Sequence, residues 1–290
     1  MVRGRVAFCG VVLAFAVGCG GARAAAPPQR IVSLNLCGDQ LAWMLVGRER
    51  IAALSHLARS AELSHVAPQV GDVPIVQGSA EEILPLAPDL VLAGRYTAKP
   101  TVAFLRAKGV PILELAIPQD FAGIRDQVRR VARALGAEPR GEELIAAMDA
   151  TLAEPALHRG APRPVARPVA RPVAVAWQAG GFTAGAGTLT DAVLDAAGLD
   201  NLAARRGLKG HGYLTLEAVV AGHPDLLISD AALPAQPSLR QALLQHPALA
   251  RPGALGRRVT VPAPLLACGT PATAEAVRLL RTALAQGTDR

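Results

Sequence analysis

A twelve-residue pattern occurs twice in this chain. Glu81-Glu82-Ile83-Leu84-Pro85-Leu86-Ala87-Pro88-Asp89-Leu90-Val91-Leu92 aligns without a gap on Glu217-Ala218-Val219-Val220-Ala221-Gly222-His223-Pro224-Asp225-Leu226-Leu227-Ile228, at a constant offset of 136 residues. Each copy reads as an acidic helix start, a Pro-Asp turn and a buried strand. A chain that repeats such a unit at domain-scale spacing is expected to fold as two similar lobes. Two lobes enclose a cleft, and ligand sites in α/β proteins favour such crevices.

The surroundings of the first copy fit that expectation. Short β-rich runs at Ile31–Leu34, Ile51–Leu54, Leu90–Ala93 and Val110–Leu115 alternate with helical patterns at Asp39–Val46, Ala80–Leu86, Pro100–Lys108 and Phe121–Leu135, the last behind an Asp120 cap. Such alternation predicts βα units on a mostly parallel sheet. From Pro139 to about Leu157, the residues Leu144, Ile145, Met148 and Leu152 recur at helical spacing. That run predicts one long helix between the lobes. Three Arg-Pro-Val-Ala units then begin at Arg163, Arg167 and Arg171, and proline at every fourth position keeps them extended. The expected organisation is an N-terminal lobe over 25–137, an interlobe helix over 138–160, an Arg-Pro linker over 161–172 and a C-terminal lobe over 173–290. The fold class is α/β, with two Rossmann-like lobes.

The first residues read as a targeting segment, with Arg3 and Arg5 ahead of an apolar run from Val6 to Val17 and small residues at Ala22-Arg23-Ala24. Residues 1–24 are therefore expected to be a cleaved signal peptide, with lipid attachment at Cys19 as the rival reading. The run is short for a membrane span, which needs about 20 apolar residues. Removal of Arg3, Arg5 and Arg23 takes three charges from the formal +7, and the remaining basic residues are not interleaved with aromatics, so nucleic acid is not an expected partner. At 51% hydrophobic and 18% charged residues the chain is not of the disordered class. Four cysteines in 290 residues are too sparse for a disulfide scaffold. Cys37 and Cys268 are the two left after processing. They either pair, which needs Cα atoms within about 7 Å, or stay buried as thiols, or touch ligand.

Catalytic signatures are missing from the sequence. It has no zinc-like Cys or His spacing, no P-loop and no Gly-x-Ser-x-Gly elbow. Ser33, Ser55, His56, His211 and Asp230 form no recognisable constellation. A secreted α/β enzyme remains the alternative from another class.

The stretch IVSLNLCGDQLAWML, the two Pro-Asp-Leu strands behind acidic helix starts, the interlobe helix and FTAGAGTLTDAVLDAAGLDN together resemble the periplasmic substrate-binding proteins of ABC importers for cobalamin, ferric siderophores and haem. The resemblance covers essentially the whole mature chain. It implies a monomeric, exported binding protein without an intrinsic cofactor or resident metal, which captures a chelate between its lobes and delivers it to a permease dimer. It further implies that Glu81 and Glu217, one at each lobe tip, pair with permease arginines. The bland reading is that acids suit helix N-termini, by about 0.3–1 kcal/mol. If the family fold holds, Asn35, His56, Arg95 and Tyr96 of the first lobe and Trp177, Phe182, His211 and Tyr213 of the second face the cleft. Cobalamin is the first expectation for the ligand and haem the second, held mainly by apolar contacts, with His56 or His211 near the metal or a polar edge. A ferric siderophore is the alternative within the class.

Overall fold

The computed structural model describes residues 26–97, 99–155, 171–229, 242–251 and 253–286. The signal segment, Cys19 and residues 161–170 of the Arg-Pro run lie outside the described residues. In the first lobe β1 (Ile31–Ser33), β2 (Ile51–Ser55), β3 (Ile75–Val76), β4 (Leu90–Gly94) and β5 (Ile112–Leu115) form one sheet in the order β3-β2-β1-β4-β5, with every pairing parallel. The central strands read as continuous apolar runs because helices cover both faces. Those helices are α1 (Leu36–Leu45), α2 (Ala67–Val70), α3 (Ala80–Ile83), α4 (Lys99–Ala107) and α5 (Phe121–Leu135). The α5 boundaries are those expected. Asp120 caps its start, accepting a hydrogen bond from the Gly123 N–H at 2.7 Å, and Gly136 ends it in the left-handed conformation at φ 61°.

The second lobe repeats this order with one strand fewer. β6 (Val173–Ala176), β8 (Asp200–Asn201), β10 (Leu226–Ser229) and β11 (Arg257–Thr260) pair in parallel as β11-β10-β6-β8. A separate antiparallel ribbon, β7 (Phe182–Ala184) with β9 (His211–Tyr213), is added between them. Its helices are α7 (Leu189–Ala196), α8 (Leu202–Arg205), α9 (Leu216–Val220) and α10 (Thr273–Gln286).

The repeat is preserved down to the backbone. Ala87 and His223, 136 residues apart, are the only non-glycine residues at positive φ among the described residues, at 45° and 42°. Each stands before the Pro-Asp turn. Asp89 accepts from the Gln29 and Arg30 N–H groups at 2.6 and 2.9 Å, and Asp225 accepts from the Val173 N–H at 2.7 Å. In both lobes the turn carboxylate therefore ties down the chain as it enters the first strand.

Between the lobes runs α6 (Glu138–Ala153). It stops short of the expected 160. Glu154 precedes Pro155 and takes ψ 128°, since the proline ring disfavours a helical residue before it. The 16 residues span about 24 Å. On one side α6 meets α5 through Arg125–Asp149 and the bidentate Arg129–Glu142 pair. On the other, Arg281 of α10 donates to Leu152 O at 3.0 Å and Glu154 O at 2.6 Å at its end, and to Ala196 O of α7 at 2.8 Å. A guanidinium suits these carbonyl-rich helix termini. One apolar core runs from Ile31 and Leu92 through Val128, Ile145 and Met148 to Val193, Leu226 and Leu280, so the lobes share a core besides the helix. The expected helix over Ala80–Leu86 is α3 followed by a 3-10 turn over Leu84–Leu86. Pro85 removes a helix donor there.

Candidate functional site

In parallel sheets ligands bind at the carboxyl ends of the strands, where the strand order reverses about the first strand. In the first lobe that point is the end of β1, flanked by β2 and β4. Asn35 occupies it. Its Oδ1 caps α1 by accepting from the Gly38 N–H at 3.1 Å, and a Cβ on Gly94 would stand only 2.7 Å from its Nδ2. The glycine is thus what lets the Asn35 amide lie against the end of β4. Arg95 and Tyr96 follow, both exposed, with the Lys99 ammonium 5.7 Å from the Tyr96 ring centre. His56 follows the end of β2 and is also exposed.

Beneath this surface lies a buried carboxylate that sequence reasoning missed. Asp39 of α1 accepts from the Ser55 N–H at 3.0 Å and the Ser55 hydroxyl at 2.5 Å. Burial pushes its carboxyl up to about 7, against the lowering effect of the hydrogen bonds from Ser55 and Ser33. No local signal distinguished it from a surface acid in the first turn of a helix.

The second lobe builds its wall differently. On the β7–β9 ribbon, Phe182 is paired with Tyr213 and Ala184 with His211. The Phe182 ring stacks on His211 with centres 5.8 Å apart and planes 8° from parallel, and meets Tyr213 edge-on at 5.7 Å. Cross-strand neighbours on one face make such contacts. Tyr213 keeps 68% of its surface exposed. A pocket of about 320 Å³ opens beside the ribbon, lined by Phe182, His211, Ala176, Ile228 and Ala263, with Leu63 from the first lobe. The ends of β6 and β10 form its floor. A second hollow, of about 350 Å³, lies between residues 116–120 and the first turns of α5, entirely within the first lobe.

Of the eight residues expected in the cleft, Phe182 and His211 line this pocket. Asn35, His56, Arg95 and Tyr96 sit at strand ends of the first lobe, and Tyr213 flanks Phe182. Trp177 corrects the expectation. It has no exposed surface and its Nε1 donates to Leu214 O at 3.0 Å, so it is core beneath the ribbon. Leu63, which lines the pocket, carried no periodic signal. Cys37 and Cys268 are joined by a disulfide with Cα atoms 5.3 Å apart, which decides among the three states left open. Among the described residues no group of three or more His, Cys, Asp or Glu is placed to hold a metal ion, and no helix is long and apolar enough to cross a membrane.

Glu81 and Glu217 are exposed at the second positions of α3 and α9. Ser79 and Glu82 form a reciprocal capping box at α3, and Thr215 accepts from the Ala218 N–H at 3.2 Å at α9. Hydrogen bonds from its own backbone N–H and the Thr215 hydroxyl hold the Glu217 carboxyl below the usual range, so it is charged at neutral pH.

The comparisons agree with this geometry. Over 90% of its length the chain superposes on 99% of the apo periplasmic haem-binding protein RhuT from Roseiflexus sp. RS-1, with a TM-score of 0.70 and 29% identity. It superposes on the periplasmic vitamin B12-binding protein BtuF of Vibrio cholerae with a TM-score of 0.66 and 18% identity, covering 91% and 99% of the two chains. This second likeness bears on the fold alone. A cobalamin-binding protein of Halobacterium salinarum is 26% identical over 207 residues, 70% of this chain and 54% of that protein, so the chain spans about half the length of the curated relatives it matches. The sequence pattern of the periplasmic binding proteins matches residues 31–258, and the chain belongs to that family.

Proposed function

We propose that this protein binds a tetrapyrrole metal chelate between its lobes and delivers it to the permease dimer of an ABC importer, docking through Glu81 and Glu217. The observation that carries the reading is the Phe182–His211 stack beside a largely apolar pocket that Leu63 lines from the opposite lobe. A flat macrocycle buries its faces against such a wall at about 25 cal/mol per Å² of apolar area. An imidazole at the pocket surface can ligate its metal or hydrogen-bond its polar edge. Haem moves ahead of the cobalamin expected from sequence. The likeness to the haem-binding RhuT, at 29% identity, is stronger than that to the vitamin B12-binding BtuF, at 18%, over similar shares of the chains. His211 takes the metal-facing role, with Tyr213, Tyr96, Arg95, His56 and Asn35 on the rim. The reading includes export by the cleaved segment 1–24, or anchoring through Cys19, and a monomer in the periplasm.

Titration of the mature protein with haem, cyanocobalamin and a ferric hydroxamate tests the ligand. Haem is expected to bind at least tenfold tighter than the hydroxamate, with a visible band that shifts in His211→Ala. A hydroxamate binding tenfold tighter than either tetrapyrrole overturns the assignment. Glu81→Ala with Glu217→Ala is expected to leave affinity unchanged and abolish uptake. Lost binding with uptake intact would place the two acids in the wrong role.

A further inference from the structure

The Cys37–Cys268 bond stands at a mechanically special place. Cys37 is the second residue of α1, two residues beyond the Asn35 cap at the end of β1. Cys268 follows the short turn Ala263–Leu265, and Ala263 and Ala267 line the pocket. The bond therefore crosses from one lobe to the other at the base of the cleft, joining residues 231 apart in sequence. The lobes touch closely beside it, since a Cβ on Gly269 would lie 2.8 Å from Pro118 and 3.2 Å from Ile124 of the first lobe. The lobes are also joined by α6, held at its far end by Arg281, and by the apolar core they share behind it. Two bodies fastened at separate places cannot open freely.

We propose that Cys37–Cys268 is a redox-operated strap: oxidised, it fixes the width of the cleft, and reduced by a dithiol it lets the lobes spread and the ligand leave faster. Cys37 is partly exposed while Cys268 is only 2% exposed, so the incoming thiolate attacks the Cys37 sulfur and Cys268 departs as thiolate, taking up a proton. The second thiol of the reductant then displaces Cys37 from the mixed disulfide. Two electrons pass from the dithiol to the protein, leaving two thiols on the chain and one disulfide on the reductant. The same exchange run backwards resets the strap.

The test uses the full mature chain with its native cysteines. Fluorophores are attached through an azide-bearing amino acid at the exposed positions Lys108 and Lys209, one in each lobe. Complete reduction by dithiothreitol is verified from the mass of the alkylated thiols. The expected result is a broader interlobe distance distribution on reduction, with release of bound haem at least fivefold faster, both reversed by reoxidation. Cys37→Ser with Cys268→Ser, checked for native circular dichroism, should behave as the reduced protein. An unchanged distance distribution on full reduction overturns the strap, as does a release rate that stays within twofold. The ligand-free distance measurement decides the strap even if haem does not bind, and a failure to bind haem in either redox state counts against the proposed ligand alone.

Discussion

Residues 79–92 and 215–228 carry the same devices in the same order: a hydroxyl cap at Ser79 or Thr215, an exposed glutamate, a left-handed residue before Pro-Asp, and an aspartate tied to the entry of the first strand. What surrounds them differs. The first lobe completes a five-stranded parallel sheet and presents strand ends with polar side chains, backed by the buried Asp39. The second has four parallel strands and places an aromatic ribbon across their ends. The capped helix, the turn and its strand are common to the two lobes, and the walls above the strand ends are what differ. Even the caps are unequal. Glu82 reaches back to the N–H groups of Gln77, Gly78 and Ser79, whereas Ala218 stands at its counterpart and leaves Thr215 to cap α9 alone.

The largest test of this contrast compares the two tryptophans. Trp177 underlies the second lobe's ribbon with no exposed surface, while Trp43 of the first lobe is half-buried and donates to Gln69 Oε1 at 2.9 Å. Trp177→Ala is expected to cost about 3–5 kcal/mol through the cavity it leaves and the stranded Leu214 carbonyl. Trp43→Ala should cost only about 1–2 kcal/mol. Urea unfolding midpoints at constant slope measure both, and equal costs would deny the ribbon its special support.

A somewhat smaller effect separates the lobes by pH. Asp39 is the only acidic side chain among the described residues that is buried. Its folded pKa, raised by burial from 3.8 to about 7, means that between those values the folded chain binds more protons than the unfolded one. Stability conferred by the neutral form is therefore present below pH 4 and falls as pH rises towards 7, by at most about 1.4 kcal/mol per unit. Asp39→Asn removes that slope. Unfolding curves of wild type and variant between pH 4 and 8 should diverge at the alkaline end, with the variant the more stable; parallel curves would show that the carboxyl titrates normally.

The smallest effect probes the shared turn. Ala87→Gly relieves a left-handed residue, a gain of about 1 kcal/mol or less after the entropy that glycine adds to the unfolded chain. His223→Gly should gain less, because the His223 ring also meets Gly253 O at 2.8 Å. A larger gain at 223 than at 87 would break the equivalence of the two turns.

Much of the frame was legible without coordinates, for reasons particular to each element. Helix α5 was readable to the residue because a capping aspartate, a 3.6-residue apolar stripe and a terminal glycine all act within a few residues of one another. The shorter α6 was misread because its apolar spacing continued past the point where Glu154 and Pro155 end the helix. In the cleft, His211 and Phe182 were anticipated through the family resemblance, yet Trp177 was assigned to the wrong environment. An indole in a βα protein serves as core or wall according to what lies above it, and the covering ribbon pairs residues about 30 positions apart.

By itself the sequence determined the two-lobe plan, the capped helix starts with Glu81 and Glu217, and the parallel sheets, because these depend on interactions between near neighbours and on a repeat visible at one offset. Only the tertiary structure decided that Cys37 meets Cys268, that Asp39 is buried on Ser55, and that Phe182, His211 and Leu63 share a pocket. Each of these joins side chains remote in sequence, and their separation is set by how whole sheets and helices pack, which no local propensity encodes.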